Sequence, residues 1–367
     1  MSFDEVRARL LAGVDEGVYS GAGLHVRRGA RVLVEAHAGR TRSDVDGAPK
    51  VDGATHFDLA SLTKVIATTT LLMRLCARGS LSLLDPLGKH LREAPPDKAW
   101  LTLGQLCAHV SGLPPHRPYF EQLAPLSAAR RFDEARQRLV AMALAEPLVA
   151  APGTHHAYSD LGFMLLGAVL ERCTGRRLDD LFEREVARPL GMRSTSFVDR
   201  SAPRGHSRTR RIFAATERCP WRGHVVVGEV HDDNCFTAGG IAGHAGLFGT
   251  AADVGRFGAE LCAVWREQST FLPKETLEQF RQRDPFRVGG AHAYGFDIST
   301  PPGSQAGDGF PDAIGHLGFT GTSLWIDLAR QRTIVLLTNR VHPTRDNQKI
   351  RVVRPALHDA LAVALGV

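Results

Sequence analysis

The sequence predicts an α+β fold: one antiparallel sheet built from N- and C-terminal segments, flanked by helices, with a mainly helical lobe inserted between them. Three observations predict it. Near the N-terminus, residues 23–27 and 31–36 read as two strands about a Gly29 turn, the pattern of a β-hairpin. Near the C-terminus, 322–327 and 332–338 form a second hairpin around Ala329, Arg330 and Gln331. Between the two, the periodicity is helical and broken by Pro and Gly. The expected division is 1–85 with 260–367 as the sheet lobe and 86–259 as the inserted helical lobe. A cleft between two such lobes is where a site is expected.

The elements follow in order. Ser2, Phe3, Asp4 and Glu5 make a capping box, and Val6, Leu10 and Val14 follow at helical spacing, so a first helix runs to about Gly17. After the first hairpin comes a polar connection over 40–55. Leu71, Leu72, Met73 and Leu75 continue an apolar run that starts a helix at Ser61. Thr102 opens a helix over 101–109, and Ser111, Gly112, Leu113, Pro114 and Pro115 stop it. Further helices are expected over 130–145, 161–173 and 178–186. The second of these is apolar enough (Phe163, Leu165, Leu166, Val169, Leu170) to be buried. A Gly-rich tract spans 223–249, a helix follows over 252–265, and a helix over 345–365 closes the chain.

At 367 residues, 43% hydrophobic and 23% charged, the chain has the composition of an ordinary globular protein with an ample core. Its net charge of +6 is mild. The densest basic run, 200–211, lacks interleaved aromatics and reads as a solvated loop, with no nucleic-acid partner implied. The six cysteines (76, 107, 173, 219, 235 and 262) are scattered without a C-x-x-C pair, which favours reduced core thiols over disulfides or zinc. No apolar segment reaches the length that spans a bilayer, and the first ten residues carry acidic groups without the apolar stretch of a signal peptide. A cytoplasmic protein is the expectation.

The stretch Phe57-Asp58-Leu59-Ala60-Ser61-Leu62-Thr63-Lys64 places Ser-x-x-Lys at the head of the apolar run. Residues three apart share a helix face, so Lys64 lies one turn above Ser61 on the same side. A free serine is a weak nucleophile and needs an adjacent base. A lysine serves once desolvation or nearby positive charge brings its pKa toward neutrality. Only six of the 45 basic residues are lysines (Lys50, Lys64, Lys89, Lys98, Lys274 and Lys349). Arginine cannot yield its proton, so a base at this position has to be lysine. The same residues also fit a Ser N-cap followed by a lysine snorkelling from a core helix, and its partners decide between the two.

Two stretches supply partners. In Pro152-Gly153-Thr154-His155-His156-Ala157-Tyr158-Ser159-Asp160, a phenol stands just ahead of the buried helix and can carry protons between nucleophile and leaving group. The plainer account is a Tyr whose ring packs and whose hydroxyl stays wet. In Gly315-His316-Leu317-Gly318-Phe319-Thr320-Gly321, a glycine lets a substrate lie against a strand edge whose N–H groups bond it. Otherwise it is a glycine-rich strand start that merely packs.

Together the three stretches resemble the serine β-lactamase and penicillin-binding-protein family. The chain looks most like its branch with Tyr in the second motif, that of class C β-lactamases, D-aminopeptidases and family VIII carboxylesterases. The likeness covers nearly the whole length and includes His109-Val110-Ser111-Gly112-Leu113-Pro114, Leu336-Leu337-Thr338-Asn339-Arg340 and the tract over 239–250. It implies a β-lactamase/transpeptidase-like fold and a serine hydrolase without a cofactor or metal. Ser61 would be the acylated nucleophile and Lys64 its proton partner. Tyr158 would share the base role and protonate the leaving group. The Ser61 and Phe319 amides would form the oxyanion hole, and Asp160, His316, Leu317 and Gly318 would face the substrate.

Two positions depart from the family pattern. Its Tyr-x-Asn is Tyr158-Ser159-Asp160 here, and its Lys-Thr-Gly is His316-Leu317-Gly318. The lost groups normally grip the amide and carboxylate of penicillins or D-Ala peptides. An ionised Asp accepts only and repels a carbonyl oxygen, unless it is protonated or turned toward Lys64. The expectation is a carboxylesterase with weak or no β-lactamase activity, acting on a small ester, amide or β-lactam. The alternatives are a β-lactamase, a D-aminopeptidase or D-Ala carboxypeptidase, and a non-catalytic scaffold of the same fold, which the presence of Ser61, Lys64 and Tyr158 opposes. A metal site drawn from His231, Asp232, Asp233 and His244 has no helical His-x-x-x-His spacing behind it.

Overall fold

Helix α1 (Phe3–Asp15) begins at Ser2. The Ser2 side chain accepts from the Glu5 amide and the Glu5 carboxylate takes the Ser2 amide, a cap that contributes about 1 kcal/mol. The computed structural model describes residues 2–202 and 211–366. Strands β1 (Gly21–Arg28) and β2 (Arg31–Gly39) form the first hairpin, with a bulge between Val26 and Arg27. After β3 (Thr55–Asp58) the Ser61 helix passes through a π-helical segment, Lys64–Thr69, into α2 (Thr70–Ala77). The helical region follows: α3 (Leu87–His90), α4 (Leu103–Cys107), α5 (Phe120–Ala128), α6 (Phe132–Ala145), α7 (Asp160–Thr174) and α8 (Leu178–Phe182). Short strands β4 (Ser196–Phe197), β5 (Ile212–Phe213), β6 (Arg218–Cys219) and β7 (His224–Val225) precede α9 (Asp233–Thr237) and β8 (Leu247–Gly249). Then come α10 (Ala251–Trp265), α11 (Lys274–Phe280), β9 (Asp297–Ile298), β10 (Ile314–Leu317), β11 (Ser323–Asp327), β12 (Arg332–Thr338) and α12 (Ile350–Ala364).

The main sheet is antiparallel throughout, in the order β2-β1-β12-β11-β10-β9, so strands from the two ends of the chain meet at β1 and β12. Period-two alternation sorts its side chains between two faces. Ile334 and Leu336 join Leu24 and Val26 in a cluster beneath α1 and α12, while Val335 and Leu337 join the larger core on the opposite face. That larger core contains α10, the Ser61 helix and most of the helical region without interruption. A smaller sheet, β4-β8-β3-β5, supports the start of the Ser61 helix.

Several expectations change in detail. Residues 55–58, expected only as the lead-in to the Ser61 helix, form β3, and α5 was not anticipated; Pro125 sits inside it and breaks the apolar period. The last helix starts at Ile350, not 345, because the preceding residues are engaged by side chains. Arg345 pairs with Glu217, and the Asn347 amide donates to the Gly17 and Val18 carbonyls. Of the basic run, 203–210 lies outside the described residues. Arg200 is not solvated: it donates to Ser127 and to the Phe236 carbonyl and lies 3.4 Å over the Phe236 ring. Among the described residues, no helix is long and apolar enough to cross a membrane.

Candidate active site

Ser61 stands at the end of a short, heavily tied segment. The buried Asp58 carboxylate takes the Ala60 amide (2.8 Å) and the His231 amide (2.6 Å). The Asp58 and Leu59 carbonyls accept from the Thr320 and Thr322 hydroxyls at 2.7 and 3.2 Å, and the Leu59 amide donates to Leu247 on β8. Held on both sides, Ala60 adopts φ of 47°, a region that residues with a Cβ seldom enter. The helix is then entered through i→i−3 bonds from the Leu62, Thr63 and Lys64 amides. The i, i+3 relation survives the π-helical segment that follows, and the Lys64 ammonium donates to Ser61 Oγ at 3.0 Å.

Lys64 is fully buried and makes two more contacts, to Asp160 Oδ1 at 2.7 Å and to the His244 carbonyl at 3.2 Å. Burial pulls its pKa down, but Asp160 and then Tyr158 more than offset this and hold the amine above its ordinary value. Burial likewise opposes ionisation of Asp160, yet Lys64 and His116 keep that carboxyl well below the usual carboxylate range. His116 faces the other Asp160 oxygen at 3.6 Å, and this contact raises its own pKa. Asp160 is therefore turned toward Lys64 and not toward a substrate carbonyl. The lysine is a paired ammonium, which opposes the lowered pKa that a lysine base requires.

The Tyr158 loop is laced to the 109–115 segment. The Ala157 amide donates to the His109 carbonyl, the Asp160 amide to the Pro115 carbonyl and the Ser159 hydroxyl to the Pro114 carbonyl. His109 Nδ1 accepts from the Ser159 amide at 3.0 Å, so the neutral ring carries its proton on Nε2. Burial, and then the charge of Lys64, drive the His109 pKa far down and fix that neutral state. Its ring packs 4.6 Å from the Tyr158 ring. Tyr158 is 37% exposed to the cleft, yet desolvation raises its phenol to about 12 against the opposing pull of Lys64. It is a neutral hydroxyl at ordinary pH.

Strand β10 forms the facing wall. His316 is 2% exposed, bonds through Nδ1 to the Leu317 carbonyl at 2.7 Å, and leaves Nε2 without a partner. Burial lowers its pKa, so it offers no positive charge. A Cβ on Gly318 would overlap the Thr322 hydroxyl and lie 2.8 Å from the Leu59 carbonyl, which is why the strand approaches the nucleophile segment only with glycine there. Phe319 stacks on His231 at 5.6 Å, and its carbonyl accepts from Arg340 Nε at 2.8 Å. Among the described residues, the Ser61 and Phe319 amides donate to no protein group. Two such amides beside a serine hydroxyl can receive the developing oxyanion of acyl transfer.

Ser61, Tyr158, Asp160, His316, Leu317, Gly318 and Phe319 all line one cleft of about 1180 Å³, and Lys64 lies beneath its floor. The sequence did not disclose His116, the Phe120–Trp221 stack at 5.2 Å, or the arginines on the C-terminal segment of the wall. The histidines of the Gly-rich tract pair with single carboxylates: His244 with Asp232 at 2.9 Å and His231 with Glu217 at 3.0 Å, while Asp233 pairs with Arg222 at 2.7 Å.

The sequence profile of the family described as "Beta-lactamase" matches residues 6–358. The chain is 31% identical over 357 residues to the N-acetylmuramyl-L-alanine amidase of Bacillus subtilis (strain 168), covering 88% of this chain and 78% of that protein. In fold it is similar to the octameric penicillin-binding protein homologue from Pyrococcus abyssi, with a TM-score of 0.73 and 19% identity over 100% of this chain and 78% of that one. It is also similar to EstCE1, a hydrolase with promiscuous acyltransferase activity, with a TM-score of 0.70 and 21% identity over 96% of this chain and 98% of that one.

Proposed function

The chain belongs to the beta-lactamase family of serine hydrolases, and on that premise we propose that it is a carboxylic ester hydrolase acting through an acyl-enzyme on Ser61, with weak β-lactamase activity at most. The proposal includes the division into a sheet lobe (1–85 with 260–367) and a helical lobe (86–259), because the cleft takes Ser61 and His316 from the first and Tyr158 and Asp160 from the second. Ser61 Oγ attacks the ester carbonyl carbon. Its proton passes to the Tyr158 oxygen in the same relay by which that hydroxyl gives its own proton to the ester's alkoxy oxygen, so the phenol stays neutral and the leaving group departs as the alcohol. Water then repeats the sequence in reverse and releases the acid. Lys64, kept an ammonium by Asp160, orients Ser61 Oγ and favours the charge that develops there. The Ser61 and Phe319 amides receive the oxyanion, a term worth roughly 100- to 1000-fold per donor.

One observation carries the preference for esters. The Asp160 carboxylate is engaged with Lys64 at 2.7 Å, so this position donates nothing to a substrate amide. Neutral His316 and apolar Leu317 add no grip for a carboxylate beside the reacting carbonyl. A second reading, cleavage of an amide, draws support from the amidase name of the Bacillus relative. The test is kcat/KM for p-nitrophenyl butyrate against nitrocefin, with fluorophosphonate labelling followed by intact mass. A larger ester value and one label, absent in Ser61→Ala, are expected. A nitrocefin value equal to or above that of the ester rejects the preference, and a label elsewhere rejects Ser61.

A further inference from the structure

Asp58, the last residue of β3, is a carboxylate that takes no part in the proton transfers at Ser61. It is 2% exposed, and among the described residues no cation lies at ion-pair distance from it. Backbone groups take its two oxygens instead: the Ala60 amide donates to Oδ1 at 2.8 Å and the His231 amide to Oδ2 at 2.6 Å. Its own carbonyl accepts from the Thr320 hydroxyl at 2.7 Å. One residue thereby ties together the nucleophile segment, the Gly-rich tract and the turn after β10.

Those segments decide where the two unpartnered amides point. In a trans peptide the N–H points away from the C=O of the same unit, so a held carbonyl aims the amide. The Ser61 amide shares a peptide with the Ala60 carbonyl, which accepts from the Thr63 amide at 3.0 Å. The Phe319 amide shares one with the Gly318 carbonyl, which accepts from the Gly321 amide, also at 3.0 Å. Each donor is thus aimed by its own turn, and contacts between the turns must set one against the other. The Thr322 hydroxyl supplies one, to the Leu59 carbonyl at 3.2 Å, and Asp58 supplies the rest. Through Ala60 it holds the φ of 47° that precedes Ser61. Through Thr320 it holds the residue after Phe319, and through His231 the ring stacked on Phe319.

Capping two amides does not by itself require a charge, and a buried ion without a counter-ion is costly. Burial raises the Asp58 pKa, and Asp232 adds to this against the two amides and His231. The titratable groups facing it are His231, which Glu217 engages, Asp232, which His244 engages, and Cys235. Only the ionised acid presents two full acceptors; protonation, or an asparagine, weakens or reverses one of them.

We infer that Asp58 is a positioning residue: its carboxylate and carbonyl hold the Ser61 and Phe319 amides in one fixed relation, so that both meet the oxyanion of the tetrahedral intermediate. It acts through Ala60, His231 and Thr320, not on the substrate itself. The inference rests on the hydrolase reading and goes beyond it by naming what aligns the oxyanion donors.

Propylboronic acid adds to a serine oxygen and places a tetrahedral, anionic boron where the butyryl intermediate would stand. Its binding to the intact protein, measured by calorimetry, requires no turnover. Asp58→Asn is expected to lower kcat for p-nitrophenyl butyrate at least tenfold, to move KM less than threefold and to weaken the boronic acid at least tenfold, the pattern of a contact made only in the transition state. The loss should shrink as pH falls from 8 to 5, because the wild-type carboxyl protonates toward the state that asparagine imitates. Thr320→Val deletes only the hydroxyl bond to the Asp58 carbonyl and should lose at least threefold in kcat and in boronic acid affinity together. It decides the matter if circular dichroism shows that Asp58→Asn does not fold, and no loss there overturns the inference. Values within twofold of wild type in Asp58→Asn, or a lower kcat with unchanged boronic acid affinity, overturn the positioning role and leave the hydrolase intact. A loss that stays constant from pH 8 to 5 overturns it as well, since the charge would then be irrelevant. Parallel losses of boronic acid affinity in a protein that turns over no ester support the positioning role and overturn the hydrolase.

Discussion

Lys64 and Arg354 are buried cations of one cleft, and the fold treats them in opposite ways. Lys64 is met by a carboxylate at 2.7 Å, a hydroxyl and a carbonyl, so its ammonium is satisfied from within. Arg354 has one neutral oxygen and a buried nitrogen with nothing opposite it. A charge balanced internally needs no outside group to hold it in place, since the chain has already provided its counter-charge. Arg354, left without a carboxylate among the described residues, keeps a burial cost that one bond to Gln305 does not offset. Arg345, paired with Glu217 in the same wall, is the internal control.

The comparison breaks most visibly at Lys64. Lys64→Ala is expected to lower kcat/KM for p-nitrophenyl butyrate by ~100- to 10,000-fold, the range of acid–base and proton-positioning groups. Lys64→Arg is expected to lose nearly as much, because a guanidinium fork cannot reproduce three contacts made by one ammonium in a fully buried space. Recovery of most activity in Lys64→Arg would reduce Lys64 to a source of positive charge. Asp160→Asn should do less to the rate at neutral pH and more to its pH dependence. Without the carboxylate, burial lowers the amine's pKa against Tyr158 alone, so the basic fall of kcat/KM moves to lower pH. Stability drops as well, by up to ~3–5 kcal/mol for a buried ion left unpaired. A profile from pH 6 to 11 that superimposes on wild type would show that Asp160 does not govern Lys64.

Glu217 gives the smallest expected effect and sharpens the control. Burial raises its carboxyl, but His231 and Arg345 outweigh this and hold it at about 2, against an ordinary 4.5. A depressed carboxyl contributes stability above its unfolded value and loses it as pH falls through the folded one. The wild-type Tm should therefore decline between pH 4.5 and 2 more steeply than that of Glu217→Gln, which lacks this contribution throughout. Parallel curves would mean that the Glu217–Arg345 pair is energetically neutral.

The groups closest to the chemistry were legible because their signals are local. Ser61 and Lys64 are three apart, and Tyr158 stands on a loop ahead of an apolar helix. Gly318 permits a strand approach that any side chain would block. What the sequence hid depends on distance along the chain. Strand β3 has four residues, and among the described residues its partners are β5 and β8, far downstream. Arg354 occupies a helix whose pattern marks it as one more cation beside an apolar face, and only folding removes its water. Asp160 was ambiguous by nature: one carboxylate repels a carbonyl or steadies a lysine, and residue identity does not say which way it points. The π-helical segment left no trace, because Lys64–Thr69 is buried on every side and no apolar stripe exists to reveal a slipped turn.

The continuity of the larger core limits how this protein can be rebuilt from parts. Val335 and Leu337 of the main sheet, Leu62 and Ile66 of the Ser61 helix, and Leu165 and Leu166 of α7 belong to one packed body. A chimera that took its helical region from a relative about as divergent as the Bacillus protein would exchange half of a shared interior and keep the other half. Each mismatched methylene then becomes a void or an overlap, at a cost of about 1–3 kcal/mol per poorly fitted side chain. The two halves of the cleft are therefore not interchangeable cassettes, and a graft that carries Tyr158 and Asp160 must also carry the side chains beneath them.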